Sequence, residues 1–212
     1  MQLYYLNINV IRKNISKLSE RITPLRRARM NAMMFEDDRL RCLGAGLLLT
    51  DIIFNGDINS VKVKTGIHGK PYIEGKLNFN LSHSGDYVIM LVDNEPVGCD
   101  VQKMIKNRDF KSIMNYLFHS KEISYVENSN NETDAFYRVW CLRESVLKAS
   151  GMGLNLENNG FYFTFGRKIR LNKFQQPEFC FFHEILHDDY RVALCGIKPF
   201  NNIKILSFIP NC

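Results

Sequence analysis

Asp100 and Gln102 stand two positions apart in Val97-Gly98-Cys99-Asp100-Val101-Gln102. The segment reads as a β-strand, whose successive side chains take opposite faces. Val97, Cys99 and Val101 then form an apolar side, and Gly98, Asp100 and Gln102 the other. A carboxylate and an amide oxygen at that spacing suit a hard cation such as Mg²⁺, which binds through one or two carboxylates, water and substrate phosphates. Gly98 beside them leaves room for a ligand. A strand with its polar side in solvent has the same pattern, so the pair alone does not decide.

A second set lies on a helical segment, Phe136 to Lys148, where Trp140, Glu144 and Lys148 are successive i, i+4 neighbours on one stripe. A surface Glu–Lys pair is the ordinary explanation. The stripe is less ordinary because it begins with the only tryptophan and is flanked by Val139, Cys141, Leu142, Val146 and Leu147. A carboxylate and an ammonium on a half-buried helix point to function: the first could hold a metal, the second could meet the phosphates that the metal bridges. A third set is Ser82-His83-Ser84-Gly85, which reads as a turn able to grip phosphate, although a lone histidine in a turn is more often structural. The chain has no G-x-S-x-G, no P-loop and no strand-linked G-x-G-x-x-G.

The elements that must carry these residues follow from periodicity. Gln2 to Val10 reads as a strand. Pro24 opens a helical region reaching about Phe54, with Leu40, Leu43 and Leu47 at helical spacing. Leu77 to Leu81 and Tyr87 to Val92 read as strands, Asp93 to Pro96 as a hairpin loop, and Val97 to Gln102 as its return. Helices are expected over Asp109 to Glu127 and Glu132 to Ser150, the second stopped by Gly151 and Gly153. Phe161, Phe163 and Phe165 alternate onto one face, and Arg191 to Gly196 and Ile203 to Phe208 are further strands.

Of the 212 residues 45% are hydrophobic and 12% aromatic, enough to fill a packed core in one large domain or two small ones. The start lacks a signal peptide and no apolar run reaches membrane-spanning length, so a soluble cytoplasmic protein without membrane contact is expected. The six cysteines form no C-x-x-C pair and sit mostly among apolar neighbours, as reduced thiols do. The net charge of +6 implies an anionic partner. No basic–aromatic interleaving supports nucleic acid.

Phe79 to Leu91 echoes Phe182 to Leu194, with identities at Phe79/Phe182, Asp86/Asp189, Tyr87/Tyr190 and Leu91/Leu194. Chance in a β-rich chain accounts for this, and so does a duplication. The duplicated reading is an α+β fold of two similar halves, a pseudo-dimer of residues 1–102 and 103–212, with the active site in the cleft between them.

Four segments in order resemble the 4'-phosphopantetheinyl transferases, specifically the larger pseudo-dimeric type that activates peptide and polyketide synthetases. Gly69-Lys70-Pro71 is similar to the family's G-K-P element, and Phe79-Asn80-Leu81-Ser82-His83-Ser84 to F-N-x-S-H-S. Gly98-Cys99-Asp100-Val101-Gln102 matches G-x-D-x-E apart from its last residue. Trp140 to Lys148 matches W-x-x-K-E-S-x-x-K with Arg143 for the first lysine. The resemblance runs from about Pro24 to Gly196.

The resemblance implies transfer of the 4'-phosphopantetheine arm of coenzyme A to a serine of an apo acyl or peptidyl carrier protein, releasing 3',5'-ADP, by a Mg²⁺-dependent monomer. Asp100 and Glu144 would ligate Mg²⁺, with Gln102 contributing or orienting a water. Lys148 would contact the pyrophosphate, Ser82 and His83 the phosphates, and Lys70 and Pro71 the adenine. Arg41, with Arg26 and Arg29, would grip the 3'-phosphate and pyrophosphate. Glu122 matches a proposed general base. Gln102 removes one charged ligand, and Arg143 keeps a charge while changing its shape. A non-catalytic module binding coenzyme A or a nucleotide is the rival, and intact Asp100 and Glu144 argue against it.

Overall fold

The computed structural model describes residues 1–59, 63–75, 77–106, 108–153, 160–174, 179–186 and 189–211. The fold mixes α and β structure. In chain order its elements are β1 (Gln2–Asn7), α1 (Ile15–Ser19), α2 (Pro24–Asn31), α3 (Glu36–Leu48), β2 (Lys64–Thr65), β3 (Pro71–Tyr72), β4 (Asn78–Ser84), β5 (Tyr87–Asp93) and β6 (Val97–Lys103). There follow α4 (Lys111–Leu117), α5 (Ser120–Glu127), α6 (Glu132–Ser150), β7 (Tyr162–Thr164), β8 (Arg170–Asn172), β9 (Cys180–Leu186), β10 (Tyr190–Gly196) and β11 (Lys204–Ser207).

Local chemistry sets the helix ends. Pro24 occupies the first turn of α2, where a missing N–H costs nothing. Glu36, Asp37 and Asp38, the acidic stretch, fill the first turn of α3 and complement its positive end. Leu40, Leu43 and Leu47 are fully buried, as their spacing predicts. The expected helical run from Pro24 is nevertheless broken between α2 and α3, and it ends in a π-helical turn at Leu49–Ile53. Asn131 caps α6 by accepting the Asp134 N–H at 3.0 Å, and Gly151 ends it in the left-handed conformation at φ 72°.

Four other expectations are corrected. β1 ends at Asn7, because the Asn7 Oδ1 accepts the Asn9 N–H and turns the chain into a short 3₁₀ segment. The helix expected over 109–127 is two, since His119 and Glu122 build a capping box that starts α5 anew. Ser82, His83 and Ser84 lie on β4, so the turn is only Gly85-Asp86. β6 is not the hairpin return of β5; it pairs antiparallel with β10, as Asp100↔Ala193 and Gln102↔Arg191.

The sheets have the orders β11-β1-β5-β4 and β6-β10-β9. They share strand logic. A first strand (β1 or β6), a helical stretch and then a hairpin (β4–β5 or β9–β10) give the order first–third–second in both. The Ile8 N–H bonds the Asp86 carbonyl at 2.8 Å, and the Met104 N–H bonds the Asp189 carbonyl at 2.7 Å, the same tie from the end of each first strand to each hairpin turn. The echoed segments are therefore these two hairpins, differing by one residue in register: Ser84 opposes Tyr87, whereas Leu186 opposes Tyr190. Leu3, Tyr87, Ile89 and Leu91 of one sheet share a core with Cys99, Val101, Tyr190, Val192 and Leu194 of the other. Tyr87 and Tyr190 meet edge-to-face at 4.9 Å. Burying each such aliphatic side chain contributes about 1.5–3 kcal/mol before chain entropy is counted.

Between β4 and β6 the backbones do not form a ladder, and side chains of β4 take its place. Asn80 Oδ1 accepts the Cys99 N–H at 2.8 Å, Ser82 Oγ the Val101 N–H at 3.3 Å and Ser84 Oγ the Lys103 N–H at 3.0 Å. Alternate polar residues on β4 thereby satisfy the exposed edge of β6 and bind one sheet to the other.

The five described cysteines are free, and four are buried; burial pushes the Cys99 thiol up to about 12. Cys212 lies outside the described residues. Among the described residues no helix is long and apolar enough to cross a membrane.

Candidate active site

Asp100 sits at the seam of the two sheets, 1% exposed. Its Oδ1 accepts from Ser82 Oγ at 2.7 Å and from Lys148 Nζ at 2.6 Å, while Lys148 also reaches Ser82 Oγ at 3.1 Å. Its Oδ2 accepts from Gln102 Nε2 at 3.2 Å, and the Gln102 Oε1 accepts from Ser84 Oγ at 3.4 Å. One carboxylate is thus addressed from β4, β6 and α6 together.

Gly98 brings α6 that close. A Cβ there would lie 2.1 Å from the Ser145 carbonyl oxygen and 2.4 Å from the Ala149 nitrogen. The room expected to admit a ligand is filled by the helix backbone instead. The tight crossing puts Glu144 and Lys148, one turn apart, against the polar face of β6.

Glu144 is 8% exposed and has no hydrogen-bond partner among the described residues. Burial, then the charge of Asp100, pushes its carboxyl up to about 7 against the pull of Lys148 and Arg143. Burial alone would lower the Lys148 ammonium, but the charge and hydrogen bond of Asp100 outweigh it and the net shift is upward. Two crowded carboxylates, one of them unbonded, form an oxygen donor pair of the kind a hard divalent cation relieves, and the Gln102 amide, whose nitrogen now faces Asp100 and whose oxygen faces Ser84, would add an oxygen on turning over. Among the described residues no group of three or more His, Cys, Asp or Glu side chains is gathered; the third donor here is an amide.

Glu144 and Lys148 open onto a pocket of about 260 Å³, lined also by His68, Lys70, Pro71 and Asn80. Lys70 faces it with its ammonium held by the Val97 and Ala149 carbonyls at 3.1 and 2.9 Å, and burial lowers its pKa. On the far side of Gln102 a groove of about 390 Å³ runs past Ser84, Ile105, Arg108, Tyr137 and Trp140. Trp140, the head of the stripe, stacks on Phe136 at 5.9 Å and so belongs to this groove wall.

His83 lies on the outer face of β4 and is exposed. Partial desolvation, then the charges of Arg41 and Lys148, hold its imidazole below the ordinary value. Those two cations are therefore near it. Arg41 is fixed there by bonds to the Gly85 carbonyl at 2.7 Å and to Asp38 at 2.6 Å. Two cations, Arg41 and Lys148, therefore act on a neutral imidazole at the mouth of the seam.

Three residues named from sequence lie elsewhere. Arg26 is wedged between α2 and α3, bonding the Cys42 carbonyl at 3.4 Å, with burial lowering its pKa. Arg29 is exposed on α2. Glu122 is fully buried and bonded to Arg143, His119 and Phe163. Conversely, the role of Asn80 and Ser84 as acceptors for the β6 backbone was not foreseen, although their period-two spacing with Ser82 on one face of the strand was the available signal.

Two family models match the chain, the 4'-phosphopantetheinyl transferase superfamily over residues 96–195 and the N-terminal 4'-phosphopantetheinyl transferase region over residues 9–95. A Haemophilus influenzae protein is 36% identical over 123 residues, 55% of this chain and 52% of its own. The 4'-phosphopantetheinyl transferase gsp of Aneurinibacillus migulanus is 26% identical over 144 residues, 66% of this chain and 59% of its own. The 4'-phosphopantetheinyl transferase Sfp of Bacillus subtilis is 28% identical over 189 residues, 84% of this chain and 83% of its own. The matched stretch thus spans little more than half the length of the first two relatives.

Proposed function

We propose that this chain, which belongs to the 4'-phosphopantetheinyl transferase superfamily, moves the phosphopantetheine arm of coenzyme A onto a serine of an apo acyl or peptidyl carrier protein. The observation that carries this is the meeting of Asp100, Glu144, Gln102 and Lys148 at the sheet seam, with a pocket on one side and a groove on the other. In the reaction the carrier serine oxygen bonds to the phosphorus that bears pantetheine. The bond from that phosphorus to the bridging pyrophosphate oxygen breaks, 3',5'-ADP leaves, and the serine proton passes to solvent water.

Asp100 and Glu144, with the amide oxygen of Gln102, are the groups that would hold Mg²⁺. When bound it supplies charge to offset the pyrophosphate and to stabilise the leaving ADP. Lys148 would donate to the pyrophosphate from the same stripe as Glu144, and Ser82 keeps Asp100 aimed. Arg41 and His83, at the mouth, suit the remaining phosphate oxygens. Lys70 and Pro71 form the pocket wall suited to the nucleoside, Lys70 through its stem because its ammonium is engaged. Arg26 and Arg29 have no part in this reading.

The recurring strand order supports a pseudo-dimer made by duplication, divided between β5 and β6 instead of after Gln102, with the active site in the cleft between its halves. One chain supplies both sides of that cleft, so a monomer suffices. The free thiols favour a reducing, cytoplasmic setting, and the net charge of +6 favours an acidic carrier. Intact mass of apo carriers after incubation with the protein, coenzyme A and Mg²⁺ tests the proposal.

A further inference from the structure

We propose that Glu122 and Arg143 form a strut that sets the aim of Glu144 and Lys148, making Glu122 a positioning residue and not the group that takes the serine proton. The aim in question is that of the transfer site proposed above, and the inference rests on that reading. Glu122 is completely buried. A carboxylate offers about four lone-pair directions, and three donor groups converge on them here, with Arg143 Nη1 shared between the two oxygens. Oε1 accepts from the Phe163 N–H at 2.9 Å and Arg143 Nη1 at 3.2 Å; Oε2 accepts from the His119 N–H at 2.9 Å and Arg143 Nη1 at 3.0 Å. A base needs a route to its substrate, and this carboxylate, completely buried and engaged at both oxygens, has none.

Arg143 is as firmly held. Its Nη1 also donates to the Phe161 carbonyl at 3.0 Å, and its guanidinium stacks 4.5 Å from the Phe161 ring and 5.9 Å from that of Phe118. The pair therefore ties α6 to the N-terminal cap of α5 and to the chain entering β7. Successive helix residues point about 100° apart, so fixing the direction of Arg143 fixes that of Glu144 beside it and of Lys148 one turn on. Arginine suits the task better than lysine, because a flat guanidinium can stack on a ring and bond a carboxylate together.

The test compares Glu122→Gln and Arg143→Lys with the wild type in three readouts: Mn²⁺ affinity without coenzyme A or carrier, thermal midpoint, and the pH–rate profile of transfer. The strut predicts that both variants lose about three- to tenfold in Mn²⁺ affinity and melt earlier. It further predicts that Glu122→Gln keeps kcat at saturating metal within about tenfold and keeps the acid limb of the profile. A general base predicts the reverse for Glu122→Gln, with kcat down by about 10²–10⁴, the acid limb gone and Mn²⁺ affinity intact; that result overturns the proposal. If Glu122→Gln does not fold, Arg143→Lys decides, and unchanged Mn²⁺ affinity in it overturns the strut. Failure of the wild type to modify any carrier sinks the transfer reading separately, since Mn²⁺ affinity and melting are read without transfer.

Discussion

Lys148 on α6 donates to Asp100 on β6 across 2.6 Å, with Asp100 1% and Lys148 27% exposed at the side chain. This contact joins the long helix to the seam between the sheets and puts an ammonium beside the most buried carboxylate of the site. Structure and chemistry are therefore coupled at one bond.

Replacing Lys148 by Ala should impair both. Leaving Asp100 buried without its partner costs about 2 kcal/mol or more, and losing charge stabilisation of a developing oxyanion costs about 10²–10³ in rate. Asp100→Asn combined with Lys148→Met removes both charges and should recover most of the lost stability while recovering no transfer. Thermal melts and transfer rates of the wild type and the two variants check this. A double variant no more stable than Lys148→Ala contradicts the coupling.

Glu144 should make stability depend on pH in the absence of metal. Its carboxyl titrates near 7 when folded and at its ordinary 4.5 when unfolded. Between those values the folded chain holds a proton that the unfolded chain has released. Stability therefore falls as pH rises through that window, by on the order of 3 kcal/mol in all. Denaturation in EDTA at pH 5.5 and 7.5 should show a loss that Glu144→Gln lacks; equal slopes in the two proteins contradict it.

Much of this site was legible in sequence, and the rest was hidden for identifiable reasons. The stripe Trp140, Glu144, Lys148 follows from helix period alone, and the bounds of α6 match because Asn131 and Gly151 punctuate it. The pairing of β6 was misread because Asp93 to Pro96 resembles a hairpin loop, and strand partners are chosen by tertiary contacts that no local pattern encodes. Ser82 and Ser84 looked like turn residues because hydroxyls favour turns; their use as surrogate ladder acceptors needs β6 beside them. The burial and pairing of Glu122 were not legible because nothing in its own segment names Arg143 as its partner.

Gln102 should matter less than Asp100. Its amide offers an oxygen without a charge, and water can fill a vacant position on Mg²⁺. Gln102→Ala should cost less activity than Asp100→Ala, while Gln102→Glu should lower the Mg²⁺ concentration for half-maximal rate. Arg191 lies opposite Gln102 in the sheet but is engaged by Asp134, leaving a new carboxylate to the metal. Mg²⁺ titrations of the three variants check this. Equal damage from Gln102→Ala and Asp100→Ala, or a raised Mg²⁺ requirement in Gln102→Glu, contradicts it.

The most direct measurement is the intact mass of a panel of apo acyl and peptidyl carrier proteins incubated with this protein, coenzyme A and Mg²⁺. At least one carrier should gain the mass of a single phosphopantetheinyl group on its serine, 3',5'-ADP should appear in equal amount, and EDTA should prevent both. No mass gain across the panel, from a protein shown separately to be folded and to bind coenzyme A, would contradict the account and leave a binding module in its place.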